Sequence, residues 1–430
     1  MSNNKNNQKA SVNNQTNNYK DVVERVKSTF QSMVKELKKN TRRLDKTIIV
    51  ITTALIIIGI ISVFSATIYE PTYAIVTNQI LSVIIGVILV VLILAIPYNW
   101  FENIYLLMTL LLIIAVTLIF LLLFGTSVSG STSWLSIMGL SFQPSEFVKI
   151  LGILLMAWMM EYSNEELIVS DKNIIKNPSI WIGTLLIIVS ILILMQPDLG
   201  MTLIIASTLI FIHILINTSK KINFMSYGII IAVYIVVIIF GQYFGDQLVN
   251  QNNHILDRLG SFINPFKYPT DSGYQLIQGM LALSRGGLFG VGIGQGIGKE
   301  GILPVIESDY IIANIGEETG LLGVFIVLAL LLSLKIVLLQ RAAISQSIFR
   351  KSVLIGIGLL LFIQTVVNIG GVLSVMPLTG VTLPFISAGG SSMIVSISLV
   401  GIALRMIAQD RKETAVNLVY SRESRMSDGI

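Results

Sequence analysis

The sequence contains no cysteine, only two histidines and few charged side chains. Without cysteine the chain has no disulfide framework, no thiol nucleophile and no thiolate metal site. His213 and His254 cannot build a histidine-rich metal centre, so any metal would be held by oxygen ligands. Charged residues make up 12% of the chain, about half of the ~25% that is usual in soluble domains. This composition argues against a soluble enzyme.

Hydrophobic residues, in contrast, make up 53% of the 430 residues. They fall into runs of about 20, the length that crosses a ~30 Å hydrocarbon core. We therefore predict an all-α polytopic membrane protein with ten transmembrane helices. The first hydrophobic run begins only near Thr47, too far along the chain for a secretory signal peptide, so we expect a retained membrane anchor. The predicted spans cover residues 47–67, 76–96, 103–124, 145–161, 178–195, 200–217, 224–244, 309–339, 352–374 and 384–407.

The regions that flank the ten-span domain, 47–410, have a different composition. Residues 1–19 are rich in Asn, Gln and Lys and are predicted to be a disordered tail. Residues 20–46 repeat hydrophobic positions at helical spacing, with lysines on the other face. That pattern is typical of a basic amphipathic juxtamembrane helix on the inner leaflet, although a helical linker without membrane contact has the same pattern. Residues 411–430 are predicted to be a second tail.

The distribution of Lys and Arg predicts the orientation in the membrane. If the N-terminus is cytoplasmic, most basic residues lie in segments on the cytoplasmic side. The even number of spans then places the C-terminus in the cytoplasm as well. Residues 245–308, between spans 7 and 8, form a large extracytoplasmic loop. Its aromatic residues and hydrophobic runs predict that this loop is structured rather than disordered.

The motif QPSEFVK places Glu146 and Lys149 at the start of the fourth span. Their spacing of three allows both side chains to lie on one face of a helix. An ionisable side chain inside a membrane is costly, so Lys149 is a functional candidate. A purely structural ion pair that orients the helix would show the same spacing.

The segment RGGLFGVGIGQGIGKEG, residues 285–301, contains eight glycines. It lacks the β-α-β context of a nucleotide-binding loop. The glycines are better explained by sharp backbone bends or by close approach to a ligand or a neighbouring helix. Arg285 and Lys299 flank them and could meet an anion, or could simply be solvated charges.

Four carboxylates lie around the start of the eighth span, in ESDYIIANIGEE. Asp309 stands where the outer loop meets that span, where a carboxylate could act as a general base. Glu317 and Glu318 follow eight and nine residues later, which in one continuous helix places them ~12–14 Å deeper. Buried without partners they would cost several kcal/mol, so we expect cationic or hydrogen-bonding partners and mainly a supporting role.

The segment from Pro377 to Ser392 combines two prolines with three glycines and several hydroxyl side chains. Irregular backbone at membrane depth is tolerated where protein or a wet cavity covers it. Its N–H groups and hydroxyls, Ser391 among them, could hold a phosphate. Close packing of small residues against neighbouring helices explains the composition equally well.

Five motifs occur in a fixed order: QPSEFVK, QPDLG, RLGSFINP with a downstream GYQLIQ, ESDYIIANIGEETG and PLTGVTLPFISAGGSS. Together they resemble the shape, elongation, division and sporulation (SEDS) family, the RodA/FtsW-type peptidoglycan polymerases, over roughly residues 45–410. Where this family usually has His-Thr-Asp, the chain has Glu307-Ser308-Asp309. Ser133 and Ala388 also depart from the family pattern. The PVIESD spacing is slightly closer to the RodA type.

The resemblance implies a peptidoglycan glycosyltransferase that polymerises lipid II, an undecaprenyl-pyrophosphate disaccharide-pentapeptide, outside the cell membrane beside a class B penicillin-binding protein. It assigns the essential aspartate to Asp309 and a matching lysine to Lys149. We predict inverting transfer, with Asp309 as the base. Membrane lipids are further expected partners and nucleic acid is not. A transporter or flippase for a lipid-linked precursor, or a membrane scaffold, would have similar spans.

The leaving pyrophosphate needs positive charge beside it. Lys149 is the first candidate, Arg258 and Arg285 are the next, and a divalent cation could share the task. The remaining substrate-binding candidates are Glu146, Gln275 and Ser391.

Overall fold

The computed structural model describes residues 27–29, 31–125, 133–137, 140–166, 178–216, 265–267, 269 and 273–427. The predicted tail at residues 1–19, the seventh predicted span at 224–244, most of the outer loop and Arg258 therefore lie outside the described residues. Residues 31–41 are helical, and their Leu37 packs against the core of the helical bundle.

Ten longer helices and one hairpin follow in this part of the chain. The first three helices are α1 (Lys46–Ala66), α2 (Ala74–Ala95) and α3 (Ile104–Phe124). The strands β1 (Leu135–Ile137) and β2 (Leu140–Phe142) then pair antiparallel, with Leu135 opposite Phe142. The helices that follow are α4 (Pro144–Glu166), α5 (Pro178–Met195), α6 (Leu199–Ile216), α7 (Tyr274–Gly286), α8 (Ile311–Ile344), α9 (Ile348–Val372) and α10 (Gly390–Ser427).

Seven helices of the described residues are long and hydrophobic enough to cross a membrane, namely α1, α2, α3, α6, α8, α9 and the first 28 residues of α10. α5 is hydrophobic but shorter, and α4 carries Glu146, Lys149 and Glu161. The prediction of a polytopic helical membrane protein is confirmed. A helix overlaps each predicted span that the structure describes, and α7 lies in the predicted outer loop.

Polar side chains fix where several helices begin. Asp45 accepts a hydrogen bond from the Thr47 N–H before α1, and Asn103 accepts one from the Leu106 N–H before α3. Asp198 accepts one from the Met201 N–H at the start of α6. Each side chain satisfies a backbone donor that has no partner within its own helix.

α9 and α10 form the centre of the bundle. Most of their side chains are buried, whereas α1, α2 and α3 present one exposed hydrophobic face each. α1 also approaches the segment before α10 very closely, since a Cβ at Gly59 would lie 2.3 Å from the Phe385 carbonyl oxygen. Glycine at this position brings α1 against the irregular segment that carries the Pro377–Ser392 motif.

The predicted span bounds were approximate, and the structure shifts two of them near Asp309 and the Pro377–Ser392 segment. α8 begins at Ile311 rather than at residue 309, so Asp309 lies in the turn before it. α10 begins at Gly390 rather than at 384, because Pro384 is followed by Phe385 with a φ of 64°, outside the helical region.

The continuous eighth helix that the sequence predicted is also interrupted, at Gly320 (φ 70°, ψ −172°). There the helical hydrogen bonds are replaced by bonds from the Leu321 and Leu322 N–H groups to the carbonyls of Gly287 and Leu288. Glu317 and Glu318 therefore end a short helix rather than lying within a long one. The glycine-rich segment supplies the hydrogen bonds at this break.

Candidate active site

The first part of the candidate site is a buried ion pair at the start of α4. The Lys149 ammonium lies 2.9 Å from both carboxylate oxygens of Glu146. It also donates to Gln364 Oε1 on α9, at 3.2 Å. Lys149 is 2% exposed and Glu146 4%. The predicted shared helix face is present, and the lysine is engaged by both partners rather than open to solvent.

Two amide side chains on α9 connect this pair to the turn that carries Asp309. Gln364 donates to the Thr382 carbonyl at 2.9 Å. Asn368 donates to the carbonyl oxygens of Val381 at 2.7 Å and Asp309 at 2.9 Å. Because Gln364 and Asn368 are four residues apart, they lie on one face of α9, one turn from each other. Neither residue was predicted from the sequence, although two amides at helical spacing in a hydrophobic helix are a signal of interhelical hydrogen bonding.

The turn before α8 is held to the irregular segment by its backbone. The Ala388 N–H donates to the Glu307 carbonyl at 2.9 Å, and the Ser387 hydroxyl donates to the Ser308 carbonyl at 2.6 Å. With the bond from Asn368, three consecutive carbonyls of this turn accept hydrogen bonds from other elements. Asp309 itself is half-buried. Its position is therefore set by the backbone of the turn.

Ser391 contributes to the same region at the start of α10. Its hydroxyl oxygen accepts a hydrogen bond from the Gln143 N–H at 2.9 Å. The Gln143 side chain in turn donates to Asp198 Oδ2 at 2.8 Å. Burial raises the pKa of Asp198 above its usual range. Ser391 is thus placed beside the Glu146–Lys149 pair, and it joins α10 to the segment that leads into α4.

Glu317 and Glu318 have the partners that we expected. Arg285 donates to Glu317 at 2.7 Å, and Lys299 donates to Glu318 at 2.6 Å. Glu318 also accepts from the Ser65 hydroxyl at 2.6 Å, which ties the start of α8 to α1. Glu317 further accepts from two N–H groups of the glycine-rich segment, at Ile297 and Gly298.

Two further candidates lie on α7. Arg285 is only partly exposed, and its Nη2 has no hydrogen-bond partner among the described residues. Gln275 is half-buried in the first turn of this helix and shares a face with Gly279, where a Cβ would lie 2.6 Å from the Tyr310 ring. α7 therefore packs against the residue that follows Asp309.

No metal-binding group of three or more His, Asp or Glu side chains occurs within the described ranges. Glu146, Glu317 and Glu318 pair instead with Lys149, Arg285 and Lys299, and Asp198 accepts a hydrogen bond from a backbone N–H. The described residues thus offer protein cations, rather than a metal site, as partners for an anion.

The chain matches the family model described as a cell cycle protein, FtsW–RodA–SpoVE, over residues 45–412. It belongs to this family. The resemblance that the five motifs predicted is confirmed.

Similar proteins of this family cover most of the chain. A probable peptidoglycan glycosyltransferase FtsW of Saccharophagus degradans is 31% identical over 395 residues, 89% of this chain and 95% of the relative. The protein of the same name from Bacillus subtilis is 32% identical over 375 residues, 85% of this chain and 91% of the relative.

Two solved structures share the fold. One is a chain from a study of a peptidoglycan synthase complex that coordinates polymerisation and crosslinking, with a TM-score of 0.66 and 22% identity, over 86% of this chain and 98% of that one. The rod shape determining protein RodA of Thermus thermophilus has a TM-score of 0.60 and 21% identity, over 85% and 97%. Since both named relatives are FtsW and one structure is a RodA, these similarities do not separate the two types.

Proposed function

We propose that this protein is a peptidoglycan glycosyltransferase that polymerises lipid II at the outer face of the cell membrane, in cell division or elongation. Membership of the FtsW–RodA–SpoVE family and the names of the two FtsW relatives support this assignment. The proposed topology has ten spans, with both termini in the cytoplasm and the loop 245–308 outside. The distribution of Lys and Arg supports that orientation.

The observation that carries the proposal is the connection between Asp309 and the Glu146–Lys149 pair through one face of α9. Gln364 bonds to Lys149, and Asn368, one turn further on, bonds to the backbone of Asp309. A half-buried carboxylate and a buried cation are thereby held at the same end of the bundle. Residues that are far apart in sequence converge there from α4, the turn before α8, α9 and the start of α10.

In the proposed reaction, the 4-hydroxyl oxygen of the acceptor sugar attacks the anomeric carbon of the donor. Asp309 takes the hydroxyl proton as the new glycosidic bond forms. The bond from the anomeric carbon to the pyrophosphate oxygen breaks, and undecaprenyl pyrophosphate leaves with the electron pair from the opposite face. Configuration at that carbon is therefore inverted.

The leaving pyrophosphate needs positive charge that is already in place. Because Lys149 is engaged by Glu146 and Gln364, we assign it the role of holding α4 to α9 and of supplying a positive field. Arg285 retains an unused N–H group at Nη2 and lies on α7 with Gln275. We propose that Arg285 and Gln275 contact the substrate, together with Ser391 beside them. Arg258, from the outer loop, is proposed as a further cation.

The proposed partner is a class B penicillin-binding protein, which would crosslink the strands that this chain polymerises. The fold shared with a chain from a peptidoglycan synthase complex supports this pairing. The exposed hydrophobic residues of α1 to α3 and α8 leave ample surface for a partner's membrane helix as well as for lipid.

The test is to purify the chain with its penicillin-binding partner in detergent and to supply labelled lipid II. Glycan strands are expected, and they can be measured by gel electrophoresis. A detergent solution has no membrane that separates two compartments, so a transporter or flippase would have nothing to move lipid II across. It would therefore leave the labelled lipid II chemically unchanged. Absence of product from a folded complex that binds lipid II would contradict the polymerase assignment.

Asn368 is expected to position Asp309 without touching the substrate. Replacing Asn368 by Leu removes its hydrogen bonds to the Asp309 and Val381 carbonyls, which link the turn to α9 and to the irregular segment. A displacement of the turn by about 1 Å can cost roughly 100-fold in rate. We expect kcat to fall about 10- to 100-fold with little change in KM.

Thr365→Val is the matched control for Asn368→Leu, since the Thr365 hydroxyl bonds only to the Leu361 carbonyl of its own helix. A normal kcat for a well-folded Asn368→Leu variant would exclude the positioning role. Loss of thermal stability without a change in kcat would show that the amide is structural.

A further inference from the structure

A second polar pocket lies at the opposite end of the bundle from Asp309. It has a volume of 440 Å³, within the ~300–1,000 Å³ range of ligand sites. Gln409, one of its lining residues, follows Ser391 by 18 residues on α10, which corresponds to about 27 Å along the helix. The pocket is therefore separate from the candidate active site. Its lining includes Tyr98, Glu102, Glu161, Arg350, Gln409 and Glu413.

The lining carries more negative than positive charge. Arg350 is the cation of the lining, and all its nitrogens are engaged: Nε donates to Asp410 at 2.6 Å, and Nη1 and Nη2 donate to Glu413 at 3.0 and 2.5 Å. Arg405 lies at the Tyr98 ring, 5.7 Å from its centroid, but does not line the pocket. The other two carboxylates of the lining, Glu102 and Glu161, form no ion pair within the described residues.

Those two carboxylates accept hydrogen bonds only from neutral groups in the described part of the chain. Glu161 accepts from the Ser347 hydroxyl and the Phe349 N–H at the start of α9. Glu102 accepts from the Tyr98 hydroxyl. Burial is the main cause that raises the pKa of Glu102; the negative Glu161 and Glu413 add to it, while the Tyr98 hydrogen bond and the positive charge of Arg350 oppose it. A second cation in the pocket would lower this pKa further.

Gln409 provides a separate indication of a missing donor. This side chain is 8% exposed, and its Nε2 donates to Glu413 at 2.9 Å. Its carbonyl oxygen, Oε1, has no hydrogen-bond partner in the part of the chain that the structure describes. A buried acceptor without a donor is costly. The pocket thus combines uncompensated negative charge with an unused acceptor.

We propose that this pocket binds the side chain of an arginine or lysine carried by a basic peptide segment. A guanidinium offers five donors in a planar fork that matches carboxylates, and an ammonium offers three. Either would bring a positive charge to Glu102 and Glu161 and an N–H donor to the Gln409 oxygen. In the proposed topology this end faces the cytoplasm, so the peptide comes from that side.

The test measures peptide binding to the full chain in nanodiscs of neutral phosphatidylcholine. The probe is a fluorescent acetyl-Gly-Arg-Gly-amide peptide, compared with the same peptide in which uncharged citrulline replaces arginine. We expect the arginine peptide to bind about tenfold more tightly. Glu102→Gln and Glu161→Gln should each remove most of this preference, because glutamine can still accept the structural hydrogen bonds but carries no charge.

Glu300→Gln is the matched control, since Glu300 is an exposed carboxylate at the other end of the molecule. This variant should keep the full preference for arginine. Equal binding of the two peptides, or a preference that survives in both pocket variants, would overturn the proposal. Lipid II polymerisation by the pocket variants should be unchanged in detergent, so this result is independent of the proposed catalytic mechanism.

A further variant tests whether the basic segment that binds the pocket belongs to this chain or to another protein. Lys20, Arg25 and Lys27 belong to the predicted basic N-terminal segment of the chain itself. If the arginine peptide binds more tightly after all three are replaced by Gln, the chain's own segment competes for the pocket. Unchanged affinity assigns the natural ligand to a separate basic protein.

Discussion

Asp309→Asn is expected to lower lipid II polymerisation by about 10²- to 10⁴-fold, the usual contribution of a positioned general base. The amide has almost the shape of the carboxylate but cannot take the proton of the attacking hydroxyl. The contact with Asn368 is made by the backbone carbonyl of Asp309, which the substitution retains. The variant should therefore fold normally, bind lipid II and fail in the chemical step. Product formation over time, with the partner present, measures the effect.

Glu307→Gln provides the matched control for Asp309→Asn. Glu307 is a second half-buried carboxylate two residues earlier, and it too is held through its backbone carbonyl, by the Ala388 N–H. Loss of its charge should leave activity within a few-fold of the wild type. If both variants lost activity equally, the effect would come from negative charge at this end of the bundle rather than from a base. An active Asp309→Asn variant would contradict the proposed mechanism.

The sequence was sufficient to predict the helical membrane architecture and the Glu146–Lys149 pair. Long hydrophobic runs can satisfy their backbone groups in lipid only as helices or closed barrels, so their length alone indicates spans. The spacing of three between Glu146 and Lys149 likewise determines a shared helix face. Both inferences depend on local geometry, which short stretches of sequence specify well.

The sequence was not sufficient to predict where helices break at membrane depth or which distant groups meet. The interruption at Gly320 depends on hydrogen bonds that the N–H groups after it donate to the carbonyls of Gly287 and Leu288, more than 30 residues earlier. Gln364 and Asn368 connect the two parts of the candidate site because the fold brings Lys149, Val381 and Asp309 to the same face of α9. Such contacts are tertiary, and no local pattern in the sequence specifies them.

Lys299→Met is expected to reduce the free energy of unfolding by about 3–5 kcal/mol, the range for breaking a buried ion pair from one side. The Lys299 side chain is fully buried and that of Glu318 is 4% exposed. The substitution would leave Glu318 with the Ser65 hydroxyl but without a cation. The short helix that follows Asp309 would then lose part of its attachment to α1 and the glycine-rich segment. Unfolding in mixed micelles measures the change.

The double substitution Lys299→Met with Glu318→Met distinguishes a lost charge partner from lost packing. If the cost arises from an uncompensated buried carboxylate, removing that carboxylate should restore most of the stability, because hydrophobic replacements of a buried ion pair are often neutral. Glu300→Gln, at the exposed neighbour of Lys299, should have almost no effect. A double variant as unstable as Lys299→Met alone would mean that the cost comes from the lost contacts of the ion pair, which hold the start of α8 in place, and not from an uncompensated carboxylate. In that case polymerisation should fall together with stability, since the turn that carries Asp309 leads directly into this helix.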